Sequence, residues 1–164
     1  MSNSSNLVFT LAVPSESNAI RDLVRAAYAR WVPVIGREPR PMQADYAAAI
    51  LVHRIDLLHE GSRLVGLIET LMHHDHLWIE NVAVAPDAQR LGYGRHLLAH
   101  AETLARQADK AELRLLTNAA FVANVALYER LGYGVMHSEP FMGGTTLYMS
   151  KRLTPGDAQT SSSA

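Results

Sequence analysis

The stretch LWIENVAVAPDAQRLGYGRHLLAHAETLARQA, Leu77 to Ala108, contains a change of period that organises the chain. Its opening residues, LWIENVAV, are mostly apolar, as in a buried strand. Pro86 ends that run, because proline has no N–H to give to a ladder. From Gly94 onward, Leu97, Leu98, Ala101, Leu104, Ala105 and Ala108 fall on one face of a long helix. Between strand and helix stands QRLGYG, Gln89 to Gly94. Glycine at such a junction permits either a sharp turn or a close approach of backbone to a ligand.

Two nucleotide patterns fail here. A dinucleotide fingerprint needs GxGxxG after the first strand, and Gly92-Tyr93-Gly94 is followed by Arg95, His96 and Leu97. No Gly-Lys-Ser/Thr follows either, so the loop is not of the Walker kind. The remaining arrangement is still suited to an anion. First-turn N–H groups lack internal partners, the helix dipole favours negative charge there, and glycines remove the side chains that would block access. Arg90 and Arg95 add positive charge at the same point. The loop reads as a pyrophosphate cradle.

Outward from this junction the periods alternate. LVFTLAV (Leu7 to Val13) is strand-like, and Ser15 is placed to cap a helix carrying Ile20, Leu23, Val24, Ala27, Tyr28 and Trp31. VPVIGREPRPM is expected to be a loop and QADYAAAI a short helix. ILVHRIDLLHEGSRLVGLIETLMHHD reads as two strands hinged at Glu60-Gly61-Ser62. After the long helix come a leucine-rich strand (ELRLLT), a helix (FVANVALYERLG) capped by Gly132, and two strands around Gly143-Gly144. The order β-α-α-β-β-β-α-β-α-β-β describes an α/β (α+β) domain with a mixed sheet.

Composition narrows the class. The 164 residues suit one domain; 48% are hydrophobic and 19% charged, as in ordinary globular chains. Cysteine is absent, which removes disulfides, thiolate metal sites and cysteine nucleophiles. The net charge is -1 with scattered cations, so nucleic acid is not an expected partner. No run is long enough for a membrane span, and MSNSSNLVFT lacks the pattern of a signal peptide, which leads to a cytoplasmic expectation. Residues 1–6 and 154–164 are expected to be flexible tails around a domain spanning 7–153.

VAVAPDAQRLGYGRHLL resembles the acyl-CoA-binding motif of GNAT-type N-acetyltransferases, Q/R-x-x-G-x-G/A after a strand, with Gln89, Gly92 and Gly94 at its defining positions. YERLGY (Tyr128 to Tyr133) is similar to that family's LYxxLGF segment. The resemblance implies a mostly antiparallel sheet of about seven strands flanked by four helices, with acetyl-CoA as cosubstrate and no metal. It implies that the backbone of Val82, Ala83 and Val84 meets the pantetheine arm. Gln89, Arg90, Leu91, Gly92, Tyr93, Gly94 and Arg95 would then wrap the pyrophosphate. Family members are often dimers, so a homodimer is among the implied states, although no residue marks an interface.

Acetyl transfer to an amine needs a base, oxyanion stabilisation and a proton for the leaving thiolate. Glu80, among apolar and amide neighbours, is expected to be partly desolvated and to act as the base, against the plain alternative of a solvent-facing strand residue. Tyr128 matches the tyrosine that the family places beside the CoA sulfur as acid; the plain alternative is an aromatic core residue. The family's usual CoA-contacting asparagine falls at Phe121, which leaves Asn124 or Asn118 to take its part. Arg37, Arg40 and Tyr46 lie in a proline-rich connection that, in the resembled fold, borders the acceptor. They are expected to read a carboxylate there.

HHDH (His73 to His76) reads as a polar turn rather than a metal site, because no second cluster supplies ligands, and it is expected near the sheet's open end. The reading reached is acetyl transfer to a small-molecule primary amine. Its alternatives are a protein N-terminal or lysine acetyltransferase, and a catalytically weak CoA-binding sensor.

Overall fold

The computed structural model describes residues 6–154; residues 1–5 and 155–164, in the expected tails, lie outside the described residues. Asn6 is tied down, its carbonyl accepting from Gly61 N at 3.1 Å. Seven strands arise where β-branched and leucine-rich runs alternate with turn residues: β1 Leu7–Leu11, β2 Arg54–Glu60, β3 Arg63–Met72, β4 Leu77–Val84, β5 Glu112–Asn118, β6 Gly134–Phe141 and β7 Gly144–Arg152. They form one sheet in the order β1-β2-β3-β4-β5-β7-β6.

Every neighbouring pair is antiparallel except β4 and β5. A parallel pair needs a crossover, and the amphipathic period from Tyr93 supplies it as helix α4, Tyr93–Gln107. The tight turns sit where the backbone takes positive φ, at Gly61 and at Met142-Gly143.

The other helices are α1 Ser17–Tyr28, α2 Val32–Ile35, α3 Tyr46–Val52 and α5 Val122–Arg130. Strand alternation divides the sheet into two faces. Gly66 on β3 lies against Leu97 of α4, and its backbone is so close that an added Cβ would sit 3.1 Å from that side chain. Asn81 on β4 faces the other way, towards Tyr28 of α1 and Tyr46 of α3. Ile20, Val24, Leu57, Leu67, Leu97 and Leu113 belong to one continuous buried cluster.

Three local expectations change. VPVI forms the single turn α2, because Pro33 sits at its first positions, where no N–H is needed, and Gly36 closes it at φ 75°. Ser15 does not cap α1; it lies within a 3₁₀ turn, Pro14–Glu16, whose entry is tied by Val13 N donating to Glu16 Oε1 at 3.0 Å. Ile50 to Val52 continue α3 rather than opening β2, since Asp45 caps that helix by accepting from Ala48 N. No helix among the described residues is long and apolar enough to cross a membrane.

Candidate active site

The parallel pairing of β4 with β5 stops after Ile79 and Leu115. Beyond it β5 pairs only with β7, and the segment from Glu80 to Val84 loses its neighbour on that side. The sheet therefore opens into a V. In this stretch the Val84 carbonyl accepts from Gln89 Nε2 and the Val82 carbonyl lies beside Tyr28 Oη, each at 3.3 Å. They are main-chain acceptors available to a ligand's N–H groups.

One cavity of about 390 Å³ runs from this opening along the start of α4, lined by Val82, Ala83, Val84, Gln89, Arg90, Gly92, Tyr93, Gly94 and Arg95. Gly92 is the residue before the helix and holds φ 84°, a left-handed conformation that points the following N–H groups outward without side-chain strain. Gly94 lies against α5: a Cβ there would meet Leu127 Cδ2 at 3.0 Å. Arg90 also adopts positive φ, 68°. Leu91 is not brought to the cavity; it is exposed on the outside of the loop.

The cavity holds four arginines, Arg30, Arg90, Arg95 and Arg130, none of which forms an ion pair among the described residues. Arg30 stacks over Trp31 at 4.4 Å and donates to Gln89 Oε1 at 3.1 Å. Free cations, outward N–H groups and free carbonyls together fit a diphosphate attached to an amide-containing arm. Arg30 and Arg130 escaped the sequence reading, because Gln89 is 59 positions from Arg30 and no local pattern links them.

A second cavity of about 350 Å³ opens on the other side of the V. Its walls come from the loop after α2 (Arg37, Pro39, Arg40, Pro41), from β4 and β5, and from the β6–β7 hairpin (Glu139, Phe141, Tyr148). The two cavities share Tyr28, Val82, Asn124 and Tyr128. Asn124 thus stands at the junction, whereas Asn118 lines only the second cavity, and its Oδ1 accepts from Ala120 N. Phe121 stacks on Trp31 with ring centroids 4.9 Å apart.

Glu80 lines the second cavity, but it is exposed rather than desolvated. The reason is a bulge: Glu69 pairs with Asn81 and Thr70 with Ile79, which leaves Glu80 as the extra residue. Its Oε2 accepts from the Trp78 indole at 2.7 Å. A desolvated carboxylate on the neighbouring strand is Glu69, which sequence reasoning missed. It is 4% exposed and lies 2.6 Å from His53 Nδ1. Burial pushes its pKa up, partly countered by the histidine.

Tyr128 is buried, and burial raises its hydroxyl to about 12, so it carries its proton across the neutral range. Burial likewise drives the Tyr28 hydroxyl far up, with Tyr128 adding to the effect. Tyr46 does not reach the second cavity. It is 3% exposed, donates to Pro41 O at 2.6 Å and accepts from Asn81 Nδ2 at 3.2 Å, so it pins the arginine loop from beneath. The histidine turn is also remote. His73 and His76 stack beside the paired ends of β4 and β5, away from the opening of the V. No group of three metal-binding side chains occurs among the described residues.

Sheet order, the V-shaped opening and the glycine-led helix define an acyltransferase of the GNAT fold. The chain matches the Acetyltransferase (GNAT) family over residues 18–133, and it belongs to that family.

A curated relative is the [Ribosomal protein bS18]-alanine N-acetyltransferase of Escherichia coli, 36% identical over 76 residues, 46% of this chain. The match spans about half of that relative, 51%. Among solved structures, the PaiA N-acetyltransferase of Thermoplasma acidophilum in complex with coenzyme A superposes with a TM-score of 0.79 at 15% identity. That likeness covers 90% of this chain and 99% of the other. The ribosomal-protein-S18-alanine N-acetyltransferase of Escherichia coli superposes with a TM-score of 0.74 at 21% identity, over 92% and 96% of the two chains. At these identities the superpositions establish the fold.

Proposed function

We propose that the protein moves the acetyl group of acetyl-CoA to a primary amine of a small-molecule acceptor, by direct attack in a ternary complex. The observation that carries this reading is the meeting of two cavities at Tyr28, Val82, Asn124 and Tyr128. Two substrates can approach one point from opposite sides, with no need for a covalent enzyme intermediate.

The first cavity takes the donor. Val82, Ala83 and Val84 bind the pantetheine arm through backbone. Gln89, Arg90, Gly92, Tyr93, Gly94 and Arg95 hold the pyrophosphate, and Asn124 contacts the donor at the junction. In the second cavity Glu80 takes the amine's proton as the new N–C bond forms. The C–S bond breaks, and Tyr128, protonated at neutral pH, gives its proton to the leaving sulfur. Arg37 and Arg40 bind the acceptor, and Tyr46 serves them by fixing their loop.

A cavity of about 350 Å³ suits a small acceptor. A second reading, acetylation of a protein's terminal or lysine amine, draws support from the relative that acts on a ribosomal protein. A CoA-binding sensor is disfavoured, because a binder needs neither Glu80 in the second cavity nor Tyr128 at the junction.

Thermal unfolding with CoA tests the donor half: at 100 times Kd a specific ligand adds about 2.7 kcal/mol, and no shift at saturation rejects the reading. Free-thiol release over small amines and an alanine-terminated peptide then assigns the acceptor. The chain has no cysteine, so released CoA is the sole thiol in that assay. Turnover of the peptide alone would establish the second reading.

A further inference from the structure

The charges of the second cavity are left unpaired with one another. Two arginines, Arg37 and Arg40, and two glutamates, Glu80 and Glu139, line it. Glu80 is engaged by the Trp78 indole, and Glu139 by Tyr148 Oη at 3.4 Å and His137 Nε2 at 3.5 Å. Neither arginine has a carboxylate within ion-pair distance among the described residues. The carboxylate adjacent in sequence to Arg37 is turned away: Glu38 pairs with Arg25 at 2.9 Å, and Arg25 also donates to Met42 O.

Arg37 is the more telling of the two. Its Nε is buried and has no hydrogen-bond partner, while its Nη1 donates a long bond to Glu38 O at 3.5 Å. The guanidinium is carried over the Phe141 ring, 5.4 Å from the centroid. A buried donor without a partner is unfavourable unless something arrives to accept from it. The aromatic ring limits where the fork can point, and a planar carboxylate matches that fork. Two positive and two negative side chains make the lining neutral, so a net-neutral guest is better matched than a dianion. Between the charges, apolar side chains (Ile35, Pro39, Leu115 and Phe121) alternate with uncharged polar ones such as Thr117 and Asn118.

We infer that the acceptor is a zwitterion, an amino acid with an apolar or aromatic side chain, whose carboxylate is held by Arg37 with Arg40 in support while its amine faces Glu80. This inference rests on the small-molecule reading above and makes Arg37 its specificity-determining residue.

The test compares acceptors that differ only in the carboxylate. L-phenylalanine is set against 2-phenylethylamine and L-phenylalanine amide, and L-leucine against isopentylamine, by thiol release with acetyl-CoA. The carboxylated partner should show a kcat/KM higher by on the order of 10- to 100-fold, the range a charge-assisted hydrogen bond supplies. Arg37→Ala should erase most of that preference through KM, lowering kcat/KM for the carboxylated acceptor far more than for the decarboxylated amine, with the Kd for CoA as the control. Arg37→Lys, which keeps the charge and loses the fork, should restore part of it.

Equal kcat/KM for both members of each pair would overturn the inference while leaving the small-molecule reading intact. So would an Arg37→Ala loss that is the same for both. If no small amine is acetylated, the reading and the inference fall together, with peptide turnover identifying the replacement.

Discussion

The two cavities, proposed to take donor and acceptor, meet at four residues but are built on opposite principles. The donor side is made mainly of backbone. It uses the carbonyls of a strand that has lost its neighbour, the N–H groups of a helix start and the left-handed Gly92, all within the stretch from Val82 to Arg95. The acceptor side is made of side chains drawn from five separate segments: Tyr28 of α1, the end of α2 with the loop after it, β4, the β5–α5 region and the β6–β7 hairpin. Backbone recognition is insensitive to most substitutions and fails at the few positions where geometry is unique. Side-chain recognition is divided among many groups, each contributing modestly.

Substitutions that strike one side and spare the other can break this contrast. The largest effect is expected for Gly92→Val. A β-branched residue is strained at φ 84°, and relaxing it would turn the first N–H groups away from the phosphates. CoA affinity, followed by titration calorimetry, should fall roughly 100-fold or more, whereas thermal stability without ligand drops by only about 1–3 kcal/mol. Retained CoA affinity would show that the helix start does not carry donor binding.

Next comes Tyr128→Phe, at the point where the sides meet. Removing a proton donor should lower kcat by about 100-fold or more, with CoA affinity within a factor of two of wild type, since the ring still fills its place. Loss of affinity without loss of kcat would instead make Tyr128 a wall of the donor cavity.

Asp56→Asn serves as a control on β2, lining neither cavity. Asp56 is buried, which by itself raises its pKa. The proximity of His100 and the ion pair with Arg54, 2.8 Å away, outweigh burial and hold it below the usual carboxylate value. A lowered folded-state pKa means stability that is present above the unfolded value, near 4, and is lost as pH falls through the folded one. The wild-type melting temperature should therefore decline in that acid range. The variant should be less stable at pH 7 by about 2 kcal/mol, given that Arg54 is half exposed, and should lose much of this acid dependence. Neither substrate's KM should move.

The same contrast explains what the sequence disclosed. The donor cradle was legible because its parts are contiguous: an apolar strand, Pro86, two glycines and an amphipathic run. The seven strands were legible for the same reason; the boundary between α3 and β2 was misplaced where the short apolar run Ile50 to Val52 suits both helix and strand, and α2 was read as loop because of Pro33 and Gly36. The acceptor side was legible only as a proline-rich segment with two arginines. That Tyr46 turns inward depends on its contacts with Pro41 and Asn81, and that Glu80 stands on a bulge while Glu69 is buried depends on strand pairing between distant residues. A one-residue shift of register decides such things, and composition does not record it.

Tyr46→Phe gives the smallest effect and the finest test of the contrast. The hydroxyl joins three segments. It accepts from Asn81 on β4 and donates to Pro41 O in the arginine loop, while Tyr28 Oη donates to the same asparagine at 2.8 Å. Its loss leaves the ring in place but frees Pro41 O and one amide hydrogen, which should cost about 1 kcal/mol in stability. The loop that carries Arg37 and Arg40 would then be less well fixed, so KM for the acceptor should rise about three- to fivefold. Affinity for CoA should not change, because no donor-side group depends on this hydroxyl. A variant that weakened CoA instead would mean the polar network supports the Val82 strand rather than the loop. The two cavities would then share a scaffold, and the division between a backbone side and a side-chain side would not hold at their common wall.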